Sequence, residues 1–163
     1  MNEFNMYPVT GDGHCAFRAI SYGLFGTQNF YDELRQYACD MIQKYRNDHI
    51  HKWADFWFSI RTNCNEEDLA NPESKETLYS EYIKQMRTTK WGGNLEFQAL
   101  AVALNLNIFV FTEINGKLGN VHTPDAVGRR SQIFSLRNLP QRTSIAIMHT
   151  RSGLHFNALY KVK

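Results

Sequence analysis

Asp12-Gly13-His14-Cys15-Ala16-Phe17-Arg18 near one end of the sequence and Leu154-His155-Phe156-Asn157 near the other put a cysteine and a histidine where a nucleophile and its base would stand. A free thiol titrates near ~8.5, so a reactive cysteine needs a helix N-terminus or a nearby imidazolium. After Gly11-Asp12-Gly13, the apolar residues Ala16, Phe17, Ile20, Leu24 and Phe25 predict a short helix ending at Gly26. Cys15 then falls in the first turn, where unpaired N–H groups and the macrodipole favour an anion. The same N–H groups, with those of the preceding turn, could cradle the oxyanion of a tetrahedral intermediate. A lone cysteine here would be read as an ordinary small core residue, and it is the pairing with His155 that gives it chemistry.

His155 and Asn157 lie two apart in a strand-like run and therefore share a face, with Phe156 on the other. Asn157 can accept a hydrogen bond from one imidazole nitrogen and leave the other for Cys15. Asp12 has two readings, as a carboxylate of the triad or as the residue that holds the turn by accepting backbone N–H bonds. Asn157 is preferred as the orienting partner and Asp12 as the support of the oxyanion turn. Among the other histidines, His14 is expected to contact substrate or solvent from its loop. His49 and His51 have no cysteine or carboxylate cluster at metal spacing, and His122 and His149 are taken as strand or loop residues.

Asp12-Gly13-His14-Cys15-Ala16-Phe17-Arg18 resembles the nucleophile motif of the ovarian-tumour (OTU) cysteine proteases, Asp-Gly-x-Cys-x-Phe-Arg. Trp91-Gly92-Gly93-Asn94-Leu95-Glu96-Phe97-Gln98-Ala99-Leu100-Ala101 is similar to that family's Trp-Gly-Gly helix start, and His155-Phe156-Asn157 to its terminal His-aromatic-Asn. Three blocks in the right order span about residues 8 to 160. The resemblance implies an α+β, papain-like fold of OTU type, with a central, mostly antiparallel sheet flanked by helices. It implies a thiol-dependent hydrolase that cleaves isopeptide bonds after the C-terminal Gly-Gly of ubiquitin or a ubiquitin-like modifier, through a thioester. Cys15, His155, Asn157 and Asp12 are then the catalytic residues, and Gly13, His14, Trp91 and Gly92 border the substrate, with Trp91 forming a wall of the cleft. The alternatives are a ubiquitin-binding module without turnover and a cysteine protease that processes a viral polyprotein.

The elements that must position these groups are legible in outline. Tyr31, Leu34, Tyr37, Ala38, Met41, Ile42 and Tyr45 trace one face of a helix over residues 31–45, and Leu78, Tyr79, Tyr82, Ile83 and Met86 trace another. Trp53, Phe56, Trp57 and Phe58 are read as core aromatics. Glu66-Glu67-Asp68, with Glu73 and Glu76, reads as a solvated surface that would also steer a basic ubiquitin tail. Asn94 is expected to cap a helix carrying Leu95, Ala99, Leu100, Val102, Ala103 and Leu104. Strand-like runs follow at residues 107–113, 131–136, 143–149 and 154–160, with turn signals at Asn115-Gly116 and Ser152-Gly153, so the last two strands are expected to form a hairpin carrying His155.

Composition sets the outer bounds. The chain has 163 residues, 43% hydrophobic and 13% aromatic, enough for one core, and the expectation is one domain over residues 1–163. A net charge of +2, with basic residues dispersed apart from Arg129-Arg130, argues against a nucleic-acid binder. No apolar run is long enough to cross a bilayer, and Met1-Asn2-Glu3-Phe4-Asn5 lacks the features of a secretory signal. A monomeric cytoplasmic protein is expected, in the host cytosol if viral or bacterial. Cys15, Cys39 and Cys64 form no CxxC and suggest neither a disulfide framework nor a zinc site. No metal or organic cofactor is implied.

Overall fold

The computed structural model describes residues 4–50, 52–113, 117–124, 142–150 and 155–161. The chain runs β1 (Phe4–Tyr7), α1 (Cys15–Phe25), α2 (Tyr31–Tyr45), α3 (Trp53–Thr62), α4 (Glu66–Ala70), α5 (Pro72–Met86), α6 (Asn94–Leu104), β2 (Asn107–Thr112), β3 (Leu118–His122), β4 (Ser144–His149) and β5 (Phe156–Lys161). The expected turns at Asn115-Gly116 and Ser152-Gly153 and the strand over 131–136 lie outside the described residues.

Local chemistry accounts for most helix boundaries. α1 ends where Gly26 takes φ 71° and donates its N–H to the Tyr22 carbonyl, a left-handed closure that costs glycine little. α2 carries Asp32 and Glu33 in its first turn and Lys44 in its last, each matching the helix dipole. Asn65 and Asn71 cap α4 and α5 by accepting N–H bonds with their side chains, and Pro72 opens α5 where no N–H is needed. The acidic run thus sits on a short capped helix, with Glu66 and Glu67 exposed.

The start of α6 differs from the expectation. Asn94 is the first helical residue, and the cap position belongs to Gly93, whose N–H donates to the Glu96 carboxylate at 2.8 Å. Glu96 therefore does by hydrogen bonding what Asn94 was expected to do, and the Asn94 side chain is turned to His122 instead.

Among the described residues, five strands form one sheet in the order β1-β5-β4-β2-β3. Three pairings are antiparallel and one, β2 with β4, is parallel. The expected hairpin is present, with β4 and β5 antiparallel and His149 opposite Phe156. The sheet is thus mostly antiparallel and flanked by helices, an α+β architecture. β1 and β3 are additions to the sequence reading: four residues are too few for a periodic signal, and Gly119-Asn120 carry poor strand propensity. α1 packs on β4 and β5, whereas α6 packs on α2 and α3 and reaches β2 and β3. Phe17, Ile20, Ile42, Phe58, Phe97, Leu100 and Ile108 are fully enclosed, each contributing about 1.5–3 kcal/mol of burial. Trp53, Trp57 and Phe58 join this core, while Phe56 stays partly exposed.

Candidate active site

The segment before α1 is a tied turn. Gly13 has φ +87°, in the left-handed region that suits glycine. The Asp12 carboxylate accepts the His14 N–H at 3.1 Å and takes Arg18 in a fork, with Nη2 to Oδ2 at 2.7 Å. Arg18 holds the Asp12 carboxyl below its usual range. Asp12 is therefore engaged with the turn and with α1.

Cys15 opens α1 with 5% of its surface exposed. Burial pushes its thiol up, and the backbone N–H groups of Phe156, Ala16 and Cys15 itself pull against that rise without overcoming it. The sequence led to the opposite expectation, a thiol depressed by its helix start. Desolvation of the anion is the stronger effect.

A residue absent from the sequence reading anchors this turn. Arg35 of α2 is fully buried. Its Nη1 donates to the carbonyls of Met86 at 2.8 Å and Lys90 at 2.7 Å, and its Nη2 donates to Gly13 O at 3.3 Å and reaches His14 Nδ1 at 2.8 Å. The guanidinium also lies over the Phe17 ring at 4.5 Å. An arginine has no lone pair to offer, so His14 Nδ1 must be the acceptor and the proton of its neutral ring sits on Nε2. Burial and the adjacent guanidinium both lower the His14 pKa. The half-buried His14 ring, packed 4.8 Å from Tyr31, is thus an internal strut, contrary to the expected loop contact with substrate or solvent. The available signal was helical spacing, since Arg35 shares the buried face of Ala38 and Ile42.

On the opposite side, His155 immediately precedes β5 and its Nε2 lies 2.8 Å from Asn157 Oδ1. The Val9 N–H donates to the same Oδ1 at 3.1 Å. A backbone N–H can only donate, so this bond fixes which end of the Asn157 amide is oxygen. His155 Nε2 must then carry its proton, leaving Nδ1 with a free lone pair. Cys15 meets the N–H of Phe156, the residue next to His155, so the α1–β5 contact brings the two expected reacting groups into one neighbourhood. Asn157, not Asp12, touches the histidine.

A cavity of about 350 Å³ opens beside Cys15, with Trp91, Gly92, Asn94, His149 and Phe156 in its wall. Trp91 is 47% exposed. A methyl group on Gly13 would lie 3.0 Å from Trp91 Nε1, and one on Gly92 would lie 2.9 Å from Phe17 Cε2. Both glycines permit backbone approaches that a side chain would block. Arg61 donates to the Trp91 carbonyl, and the buried Glu96 accepts from Gly93 N–H at 2.8 Å and Tyr82 O–H at 2.7 Å. Burial raises the Glu96 pKa. The wall is thereby tied to α3 and α5. His149, which stacks on Phe156 at 4.5 Å, lines the cavity without having been singled out in the sequence.

Together the arrangement holds a buried thiol at a helix start, backbone N–H groups directed at it, and, one residue from its Phe156 contact, an imidazole of fixed tautomer. Such a set can carry out nucleophilic acyl transfer.

An Arabidopsis thaliana protein, ovarian tumor domain-containing deubiquitinating enzyme 6, is 27% identical over 110 residues, covering 67% of this chain and 17% of its own length. The chain thus matches about a sixth of that relative. The viral OTU domain protease of Farallon virus has a similar fold, with a TM-score of 0.64 at 22% identity, over 98% of this chain and 85% of its own. The Hazara virus OTU bound to ubiquitin gives a TM-score of 0.57 at 17% identity, over 99% and 83%. Residues 10–149 match the OTU-like cysteine protease family, and the chain belongs to that family.

Proposed function

We propose that this chain is a cysteine-dependent deubiquitinase that hydrolyses isopeptide bonds after the C-terminal Gly-Gly of ubiquitin or a ubiquitin-like modifier. The observation that carries the reading is the pair His155 Nε2–Asn157 Oδ1 at 2.8 Å, locked by Val9 and set beside a cysteine at a helix start. The Arabidopsis relative is a deubiquitinating enzyme and the Hazara virus domain is bound to ubiquitin, which supports the choice of substrate.

In this mechanism His155 Nδ1 takes the Cys15 proton as the sulfur attacks the carbonyl of the terminal glycine. Backbone N–H groups of the turn and first helical residues receive the oxyanion. His155 then gives the proton to the departing lysine amine, and a thioester remains on Cys15. Water, deprotonated by the same nitrogen, releases ubiquitin. Burial raises the Cys15 pKa, so in this mechanism deprotonation of the thiol accompanies attack. Asn157 keeps His155 in its working tautomer, Asp12 holds the turn, His14 braces it against Arg35, and Gly13, Trp91 and Gly92 shape the passage.

Ubiquitin bearing a C-terminal electrophile tests the reading. The expected result is an adduct one ubiquitin heavier, formed on Cys15 and absent in Cys15→Ala, together with cleavage of at least one linkage in a panel of di-ubiquitins. Ubiquitin binding with no adduct and no cleavage would assign the chain as a binding module and overturn the proposal.

A further inference from the structure

The His122 ring, fully buried at the end of β3, lies between two carboxamides. Its Nδ1 is 3.0 Å from Gln98 Oε1, and its Nε2 is 3.0 Å from the Asn94 side-chain oxygen. Gln98 is fixed, because its Nε2 donates to the Thr123 carbonyl at 2.6 Å and its oxygen must therefore face the ring. Nδ1 is then the protonated nitrogen. A neutral imidazole has no second proton, so an oxygen opposite Nε2 is tolerated only by an imidazolium. Burial among Trp57 and Phe97 drives His122 down to about 3, which disfavours that cation. The remaining solution is an Asn94 amide turned over, with its NH₂ donating to Nε2.

That turn frees the Asn94 oxygen, and Asn94 lines the cavity beside Cys15. Trp57 lines the same cavity, and its buried indole N–H has no partner among the described residues. The freed oxygen gives the wall an acceptor, the polarity that answers a backbone N–H of an extended peptide, while the Trp57 indole N–H stays enclosed behind the surface.

We infer that Asn94 is a substrate-recognition residue, its nitrogen committed to His122 and its oxygen accepting a backbone N–H of the extended tail that leads to the scissile carbonyl. His122 and Gln98 are positioning residues that set the direction of the amide. The inference rests on the deubiquitinase reading for the identity of the tail, but not for the orientation of Asn94.

Two measurements test it. Long-range ¹H–¹⁵N NMR of the wild-type protein between pH 6 and 8 should show His122 neutral, protonated at Nδ1 and bare at Nε2. An imidazolium or an Nε2–H tautomer would overturn the inference whatever the activity. With ubiquitin carrying a C-terminal fluorogenic amide, Asn94→Ala should raise KM about 10-fold, the worth of one hydrogen bond, with kcat within about twofold in the folded variant and a lower Tm because the buried His122 Nε2 loses its donor. His122→Phe should raise KM similarly and add nothing to Asn94→Ala in the double variant. A KM unchanged in Asn94→Ala while wild type turns over would refute the recognition role alone, whereas no turnover or adduct by wild type would remove the deubiquitinase reading. The fluorogenic substrate has no residue beyond the scissile bond, so an effect seen only with di-ubiquitin would place the contact on the wrong side and also overturn the proposal.

Discussion

Arg35 Nη2 lies 2.8 Å from His14 Nδ1, so a guanidinium buried in α2 grips the residue next to the nucleophile. The same group holds the carbonyls of Gly13, Met86 and Lys90. One side chain thereby joins the turn before Cys15 to the segment leading to Trp91, the two banks of the cavity.

Arg35→Lys tests this join. A lysine keeps the charge but lacks the planar fork, so it cannot serve both banks at once. The expected outcome is a loss of about 2–3 kcal/mol in chemical denaturation and a fall in kcat on a ubiquitin amide larger than the change in KM. Unaltered kcat in a folded variant would show that the turn keeps its shape without the fork.

Asn157 and Val9 act on His155 in series. Asn157→Ala should lower kcat about 10²-fold by freeing the imidazole tautomer, while Cys15→Ala should abolish turnover. Val9→Pro removes the N–H that orients the Asn157 amide, along with some core packing of the buried Val9 side chain, and a smaller loss of kcat, about 10-fold, is expected in the folded variant. Equal activity of Val9→Pro and wild type would mean that the amide needs no such lock.

The raised Cys15 pKa gives a direction for the pH dependence of the free enzyme. A thiol buried as this one is stays protonated below its folded pKa, so alkylation by iodoacetamide should accelerate only as pH rises past the ordinary thiol range. A plateau reached near or below neutrality would instead reveal a preformed thiolate–imidazolium pair.

His122 and Glu96 should tilt the pH–stability profile in opposite directions. His122 falls from 6.5 to about 3 on folding, so between those values the unfolded chain binds more protons. Its contribution is complete above pH 6.5 and is lost as pH falls toward 3, with a slope of up to about 1.4 kcal/mol per pH unit. Glu96 has a raised folded pKa, so its contribution is present below 4.5 and is lost as pH rises through the folded value. Urea denaturation from pH 4 to 8 should show a flatter acid limb in His122→Gln and less alkaline loss in Glu96→Gln. Parallel profiles for both variants and wild type would contradict the assignments.

The sequence revealed what depends on short-range pattern. Cys15 at the start of α1, the left-handed closure at Gly26, the Tyr31–Tyr45 helix and the shared side of His155 and Asn157 all follow from periodicity and from glycine chemistry. It concealed what depends on burial and on distant partners. Arg35 reads as an ordinary surface arginine until its four contacts are seen, and Glu96 reads as a first-turn charge until Tyr82 and Gly93 close over it. The direction of the Cys15 shift required knowing how deeply the sulfur sits, and Val9 carries no pattern at all because it acts through its backbone.

β1 ends two residues before Val9 and, among the described residues, has a single neighbour in the sheet, β5, which follows directly from His155. An edge ribbon that supplies no reacting group therefore acts as the clasp of the proton-transferring machinery. Loosening that border would be felt first as imprecision in proton delivery, with the interior of the protein left undisturbed.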